Sequence, residues 1–341
     1  MNSFGKLFKI SIFGESHGKY IGIVIDGIPA GIKLKIDDFI EEIERRKPFY
    51  DGSTERKEED IPEIISGINI NNENYSTENF ITNGFPLTII FKNKNFNKKN
   101  YEIFKEIPRP SHVDFALLKK YGNFSQIEGS GHLSGRLTLC LVAAGVVAKK
   151  IITPISINCF VSEIYGEKNK NNYLKLIKKI KNEGDSVGGI LECHINNVDA
   201  GIGEPFFYSI ESALSSIIFS IPTIKGIEFG AGFNFSKLKG SEANDPIIDK
   251  NGKTKSNNNG GITGGISNGN EIFFKVVSKP IPSIKKEQYT FNIKKNKMDR
   301  LKIEGSHDSC IILRLPPIIE AASAIALADL ILLNKLNLYK K

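Results

Sequence analysis

Cysteine is scarce and unpaired in this sequence. Cys140, Cys159, Cys193 and Cys310 stand far apart, and no C-x-x-C occurs. That spacing argues against a disulfide framework and reads as reduced, buried thiols in the cytosol. H-E-x-x-H and comparable ligand spacings are missing, so no metal site is expected. A Walker loop, a G-x-G-x-x-G following a strand and any nucleic-acid-binding motif are missing too. No apolar run is as long as a membrane span, and the closest, 137–148, reads as a buried helix. The first apolar run is short and leads straight into polar residues, unlike a signal peptide. These absences set the expectation of a cytoplasmic protein with neither nucleic acid nor membrane as partner.

The 341 residues are 40% hydrophobic and 25% charged, enough for a large core in one large or two ordinary domains. Lys plus Arg number 46 against 38 Asp plus Glu, a net charge of +8. Much of the excess lies in Lys- and Asn-rich stretches, 92–100 and 168–172. It reads as solvated surface and as a field favouring an anionic substrate and cofactor. Alternating apolar residues predict strands over 4–13, 20–28, 32–36, 61–70, 85–92, 155–164, 188–195, 226–230 and 271–277. Helical spacing predicts helices over 39–46 with Asp37-Asp38 as N-cap, and over 115–118, 139–149, 171–183, 207–219 and 318–333. Residues 285–301 form a basic excursion with some alternation. No linker separates the halves, so residues 1–341 are expected to form a single compact α+β domain of layered sheets and helices.

Polar clusters braced by glycine or proline interrupt these elements. Gly14-Glu15-Ser16-His17-Gly18 ends the first strand. It could be a plain tight turn, but the same construction recurs. Arg109-Pro110-Ser111-His112-Val113-Asp114 puts a guanidinium beside an imidazole, suited to an anionic ligand with a proton-transfer partner. Glu128 to Thr138 leads three glycines, Ser130, His132 and Arg136 into an apolar helix, an arrangement that cradles anions. A glycine-dense stretch, 256–269, contains Asn258 and Gly260, and Lys279-Pro280-Ile281-Pro282-Ser283-Ile284 is a stiffened turn. His307-Asp308-Ser309-Cys310 precedes Arg314, which is embedded in an apolar run. Histidines, arginines and backbone donors together suggest a phosphorylated ligand and proton transfer.

In this order, the six clusters resemble the signatures of the chorismate synthase family over nearly the whole chain. The resemblance implies a β-α-β sandwich. It also implies a 1,4-anti elimination of phosphate from 5-enolpyruvylshikimate 3-phosphate, dependent on reduced FMN without net redox change. In that reading His17 protonates the departing phosphate, His112 supplies a proton to the reduced flavin, and Asp308 assists removal of the C6 hydrogen. Arg45, Arg109 and Arg136 bind substrate. Ser130, Asn258, Gly260, Lys279, Ser283 and Ile284 lie along the FMN. The family likeness further implies a homotetramer fed with reduced flavin by a separate, NADPH-linked source.

The sequence departs from that family's usual pattern at several points. Phe49-Tyr50-Asp51-Gly52 stands where Gly and a further cation are usual, and only Arg56-Lys57 returns to pattern. Ser306 replaces an Arg, Ser309 a Pro, and His132-Leu133 a commoner Arg-Ser or Arg-Ala. The expectation is rearranged anion binding. A weakly active FMN or phosphometabolite-binding homologue and another flavin-dependent enzyme are the alternatives.

Overall fold

The computed structural model describes residues 1–47, 50, 58–69, 79–94, 101–305 and 307–337. Phe49, Asp51, Gly52, Arg56, Lys57 and Ser306, on which several sequence departures fall, lie outside them. In chain order the first half forms β1 (Ser3–Phe4), β2 (Lys9–Gly14), β3 (Tyr20–Asp26), β4 (Lys33–Lys35), α1 (Ile36–Arg46), β5 (Glu63–Ser66), β6 (Asn79–Ile81), β7 (Leu87–Lys92), α2 (Ile103–Glu106), α3 (Asp114–Tyr121) and α4 (Thr138–Ile151). The second half forms β8 (Ser156–Ile164), α5 (Tyr173–Asn182), β9 (Gly189–Asn196), α6 (Ile210–Ile218), β10 (Ile224–Phe229), α7 (Gly240–Ala243), β11 (Ile262–Thr263), β12 (Ile266–Ser267), β13 (Ile272–Ser278), β14 (Gln288–Asn292), β15 (Lys297–Leu301) and α8 (Pro316–Asn337).

Two antiparallel sheets form the outer layers, in the orders β1-β2-β3-β7-β5 and β10-β13-β9-β8. Alternation decides their inner faces. Ile21, Ile23 and Ile25 stand opposite Phe91, Ile89 and Leu87, and all six are fully buried. On the other sheet, Leu191, Cys193 and Ile195 face Val276, Phe274 and Ile272 in the same way. Between the sheets lie α4, packed on β3, and α8, packed on β8 and β9. Both helices are apolar nearly all round because each has protein on every side. They cross where Gly145 meets Ala321: a Cβ at 145 would lie 2.3 Å from the Ala321 Cβ. The result is the layered α+β sandwich expected from the sequence. Two helical stretches, 128–151 ending in α4 and 316–336 of α8, are long and apolar enough to cross a membrane, but most of each apolar window is buried within the protein.

Some boundaries differ from the sequence reading. The strand expected over 4–13 breaks into β1 and β2, because the amides of Lys6, Leu7 and Phe8 donate to the Asp329 carboxylate of α8 at 2.7–3.0 Å. Helix α1 starts at Ile36, with Asp38 accepting from the Lys35 amide at 3.0 Å, so Asp38 caps from inside the first turn. Helix α6 starts at Ile210 because Ser209 caps it, its Oγ accepting from the Ser212 amide at 3.1 Å. The basic excursion is the β14–β15 hairpin. Leu301 on this hairpin and Ile303 just beyond it cover Phe104, Ile107 and Ile127 in a small second core.

Candidate active site

The last turn of α1 sends two arginines in different directions. Arg45 forms a fork to Glu320 of α8, at 2.7 and 2.8 Å. Burial works against the Glu320 charge, but Arg45, Lys149 and the Cys159 amide outweigh it and lower its pKa. Arg45 therefore braces α1 against α8 and lines neither cavity described below. Arg46 is the one aimed at the site. Its Nε donates to Thr138 Oγ1 at 3.0 Å, and its Nη2 donates to the carbonyls of Gly135 and Arg136 at 2.9 and 3.3 Å.

Around Arg46 lies a cavity of about 470 Å³, which Lys47, Arg136 and Arg314 also line. Arg136 donates through Nε to Asn93 at 3.0 Å and pairs through Nη1 with Asp60 at 2.6 Å. Its Nη2 is buried without a hydrogen-bond partner among the described residues. Asp60, at φ +56°, reaches Arg46 as well, at 4.0 Å. Arg314 donates to Asp308 at 2.8 Å and to the Arg46 carbonyl at 3.0 Å. Burial, then repulsion from Arg314 and Arg136, lowers Arg46 to about 9. The four cations share this lining with Glu44, Glu58, Asp60 and Asp308, so guanidiniums and carboxylates face one another across a polar cavity suited to an anion that carries its own hydrogen-bond acceptors.

The first glycine-braced cluster is tied to the third. The Ser16 amide donates to the Gly131 carbonyl at 3.0 Å, and Asn93 donates to the Glu15 and Gly18 carbonyls at 3.1 and 2.8 Å. Ser16 lines the first cavity. His17 stands edge-on to Tyr101 and so close to Gly129 that a Cβ there would lie 2.6 Å from His17 Nε2. Only glycine allows this approach.

A second cavity, of about 660 Å³, shares Ser134, Gly135, Thr138 and Ile311 with the first. Its walls are largely apolar, including Ile10, Ile12, Leu137, Leu141 and Ile281, with His112, Ser130, Lys225, Lys279 and Ser283 among the polar groups. His112 is fixed by Asp114, 2.7 Å from Nδ1. Burial would raise the Asp114 pKa, but bonds from Arg109 and His112 hold it at about 2. Arg109 is spent on this duty: it forks Asp114 at 2.7 and 2.8 Å, donates to Ser283 at 3.1 Å and lies over the Phe104 ring. It lines neither cavity and braces Asp114 and Ser283. Burial lowers Lys279, whose Nζ donates to the Ser111 carbonyl at 2.8 Å.

The structure thus gathers Arg136 and Asp308 at one cavity and His112, Ser130, Lys279 and Ser283 at the other. His17, Asn258, Gly260 and Ile284 line neither. The Asn258 amide donates to Asp245 and its side chain to Ala243, closing their own loop. Sequence reading left Asp60, Asn93 and Arg314 without roles, and took Arg46, with Arg45 and Lys47, as a helix C-terminal cation first and an anion binder second. Arg314 carried a signal, a cation inside an apolar run. Asp60 and Asn93 carried none.

A family model for chorismate synthase matches residues 8–332. The chain is 50% identical to a chorismate synthase of Chitinophaga pinensis over 336 residues, covering 98% of each chain. It is 41% identical to one of Dehalococcoides mccartyi, over 97% of this chain and 96% of that one. It is 38% identical to one of Thermococcus gammatolerans, over 97% and 98%. A crystal structure of a chorismate synthase superposes with a TM-score of 0.72 over 97% of this chain and 93% of that one, at 24% identity, which speaks to the fold.

Proposed function

The chain belongs to the chorismate synthase family and is a lyase of the shikimate pathway, and from that premise we propose how its two cavities divide the reaction. The reaction eliminates phosphate from 5-enolpyruvylshikimate 3-phosphate to give chorismate, and the family uses reduced FMN. The larger cavity fits that cofactor. Its apolar walls suit a flat ring system, and Lys225 and Lys279 suit an anion. Lys279, Ser283, Ser130 and His112 would hold it there. When bound, reduced flavin supplies electron density to the ring from which phosphate departs.

Arg46, Lys47, Arg136 and Arg314 receive the anionic groups of the substrate. The observation that carries this reading is the buried Nη2 of Arg136, without a hydrogen-bond partner among the described residues, in a wall of paired guanidiniums and carboxylates next to an apolar cavity. A phosphate oxygen supplies the acceptor which that nitrogen lacks. His17 gives a proton to the departing phosphate, and Asp308, oriented by Arg314, takes part at the C6 hydrogen. His112 holds the proton needed beside the flavin. Arg45 and Arg109 act behind this surface, through Glu320 and Asp114.

The same reading takes residues 1–341 as one domain, supported by a hydrophobic core that runs from Phe8 to Leu330. It takes the assembly as a homotetramer in the cytoplasm, supplied with reduced flavin by a separate NADPH-linked reductase. The exposed Phe206 and Phe207 are surface that such an assembly could cover. The test is anaerobic incubation with reduced FMN and 5-enolpyruvylshikimate 3-phosphate. Equimolar phosphate and chorismate are expected, with flavin returned reduced. Flavin binding without phosphate release would overturn the reading, and net substrate oxidation would select another flavin enzyme.

A further inference from the structure

Ser130 stands in a backbone conformation that suits glycine. Its φ is +67°, between Gly129 at +55° and Gly131 at +53°. A side chain at such a position costs about 1 kcal/mol or more. The hydroxyl kept there sits 3.1 Å from His112 Nε2, and both residues line the larger cavity. On the far side of the imidazole, Nδ1 lies 2.7 Å from fully buried Asp114, which Arg109 grips with two bonds.

We propose that Ser130 is the proton relay of His112: the imidazole exchanges its Nε2 proton with the cavity through the Ser130 hydroxyl. This rests on the reading of the larger cavity as the flavin site and adds a residue to it. The Asp114 carboxylate can only accept, so Nδ1 carries a proton in either charge state. In the neutral ring Nε2 is bare, and the Ser130 O–H donates to it. In the charged ring Nε2–H donates to Ser130 Oγ, and the hydroxyl proton is turned toward the cavity. Transfer breaks the Nε2–H bond and the Ser130 O–H bond. It forms a new O–H bond on Ser130 and delivers one proton to an acceptor in the cavity. Charge and atoms balance, and no other reactant is needed. Arg109, Asp114 and Lys279 are the charged groups that act on this imidazole, and none of them replaces Ser130 at Nε2.

Two variants test the relay. Ser130→Gly removes the hydroxyl and fits the backbone, so its melting temperature should stay within about 3 °C of the parent. Ser130→Ala removes the hydroxyl but keeps the Cβ. The first readout needs no flavin: the His112 imidazole, one of five histidines, is titrated by long-range 1H–15N NMR. The charged ring loses the stronger bond, so in both variants the His112 pKa should fall by up to about one pH unit, with Nδ1 still protonated. The second readout is turnover. We expect kcat to fall about tenfold or more with a displaced pH profile, while the KM for 5-enolpyruvylshikimate 3-phosphate stays within about twofold. An unchanged imidazole titration, or an unchanged pH profile, in Ser130→Gly would overturn the relay. Failure of the parent protein to release phosphate would instead overturn the function and leave the titration result standing.

Discussion

On α1, consecutive side chains project about 100° apart, so Arg45 reaches Glu320 while Arg46 reaches Gly135 and Thr138. Exchanging each for lysine separates their roles. Arg46→Lys loses the planar fork and should lower kcat/KM about a hundredfold. Arg45→Lys should cost about 1 kcal/mol of stability and leave kcat/KM within about threefold, because Arg45 is partly exposed and buried Glu320 keeps Lys149 as a second cation at 3.1 Å. Steady-state phosphate release and chemical denaturation read the two effects. Asp60 offers a different contrast. Its carboxylate lies between Arg46 and Arg136, all three buried. Asp60→Asn leaves the guanidiniums uncompensated and should destabilise the protein by about 3 kcal/mol. Inorganic phosphate should restore much of that loss in a thermal melt, since it can supply the missing negative charge.

At the scale of elements, the two central helices set how far apart the sheets stand. The ring of small residues at their crossing fixes that distance. Gly145→Ala would press its new Cβ against Ala321 and should cost about 2 kcal/mol, read as a lower midpoint in denaturant with the m-value unchanged. These helices were legible in the sequence because they are apolar through several turns, and the strands were legible from their alternation. What was hidden depends on partners distant in the chain. Nothing local distinguishes Arg45 from Arg46, since Glu320 is 275 residues away. The break between β1 and β2 is set by Asp329, which reads locally as one acid in an apolar helix. The clusters that bear His112, Ser130, Arg136 and Asp308 were legible because glycine and proline mark them. Arg109 was legible as the cation of its cluster, but its two bonds to Asp114 and one to Ser283 are shown only by the fold.

For the whole molecule, the buried titratable groups agree in direction. Asp114 ionises at an ordinary 3.8 when unfolded and at about 2 when folded. Its contribution, on the order of 2 kcal/mol, is complete above pH 4 and lost as pH falls through about 2. His112 is lowered from 6.5 by burial, so charging it on acidification also opposes the fold. Stability should therefore decline from pH 7 toward pH 3. Asp114→Asn should be less stable at pH 7 and show a flatter acid limb, which melting curves across that range would check.

The grip of Asp329 on Lys6, Leu7 and Phe8 has a consequence for the order in which the chain is made. Residues 6–8 leave the ribosome more than 320 positions ahead of the carboxylate that anchors them. Until α8 emerges, the first sheet can form its hairpins, but it lacks the helix that holds its edge and fills the layer beneath. A nascent chain ending before residue 316 should remain open to protease along β1 and β2, and release of α8 should close the sandwich in a single late step.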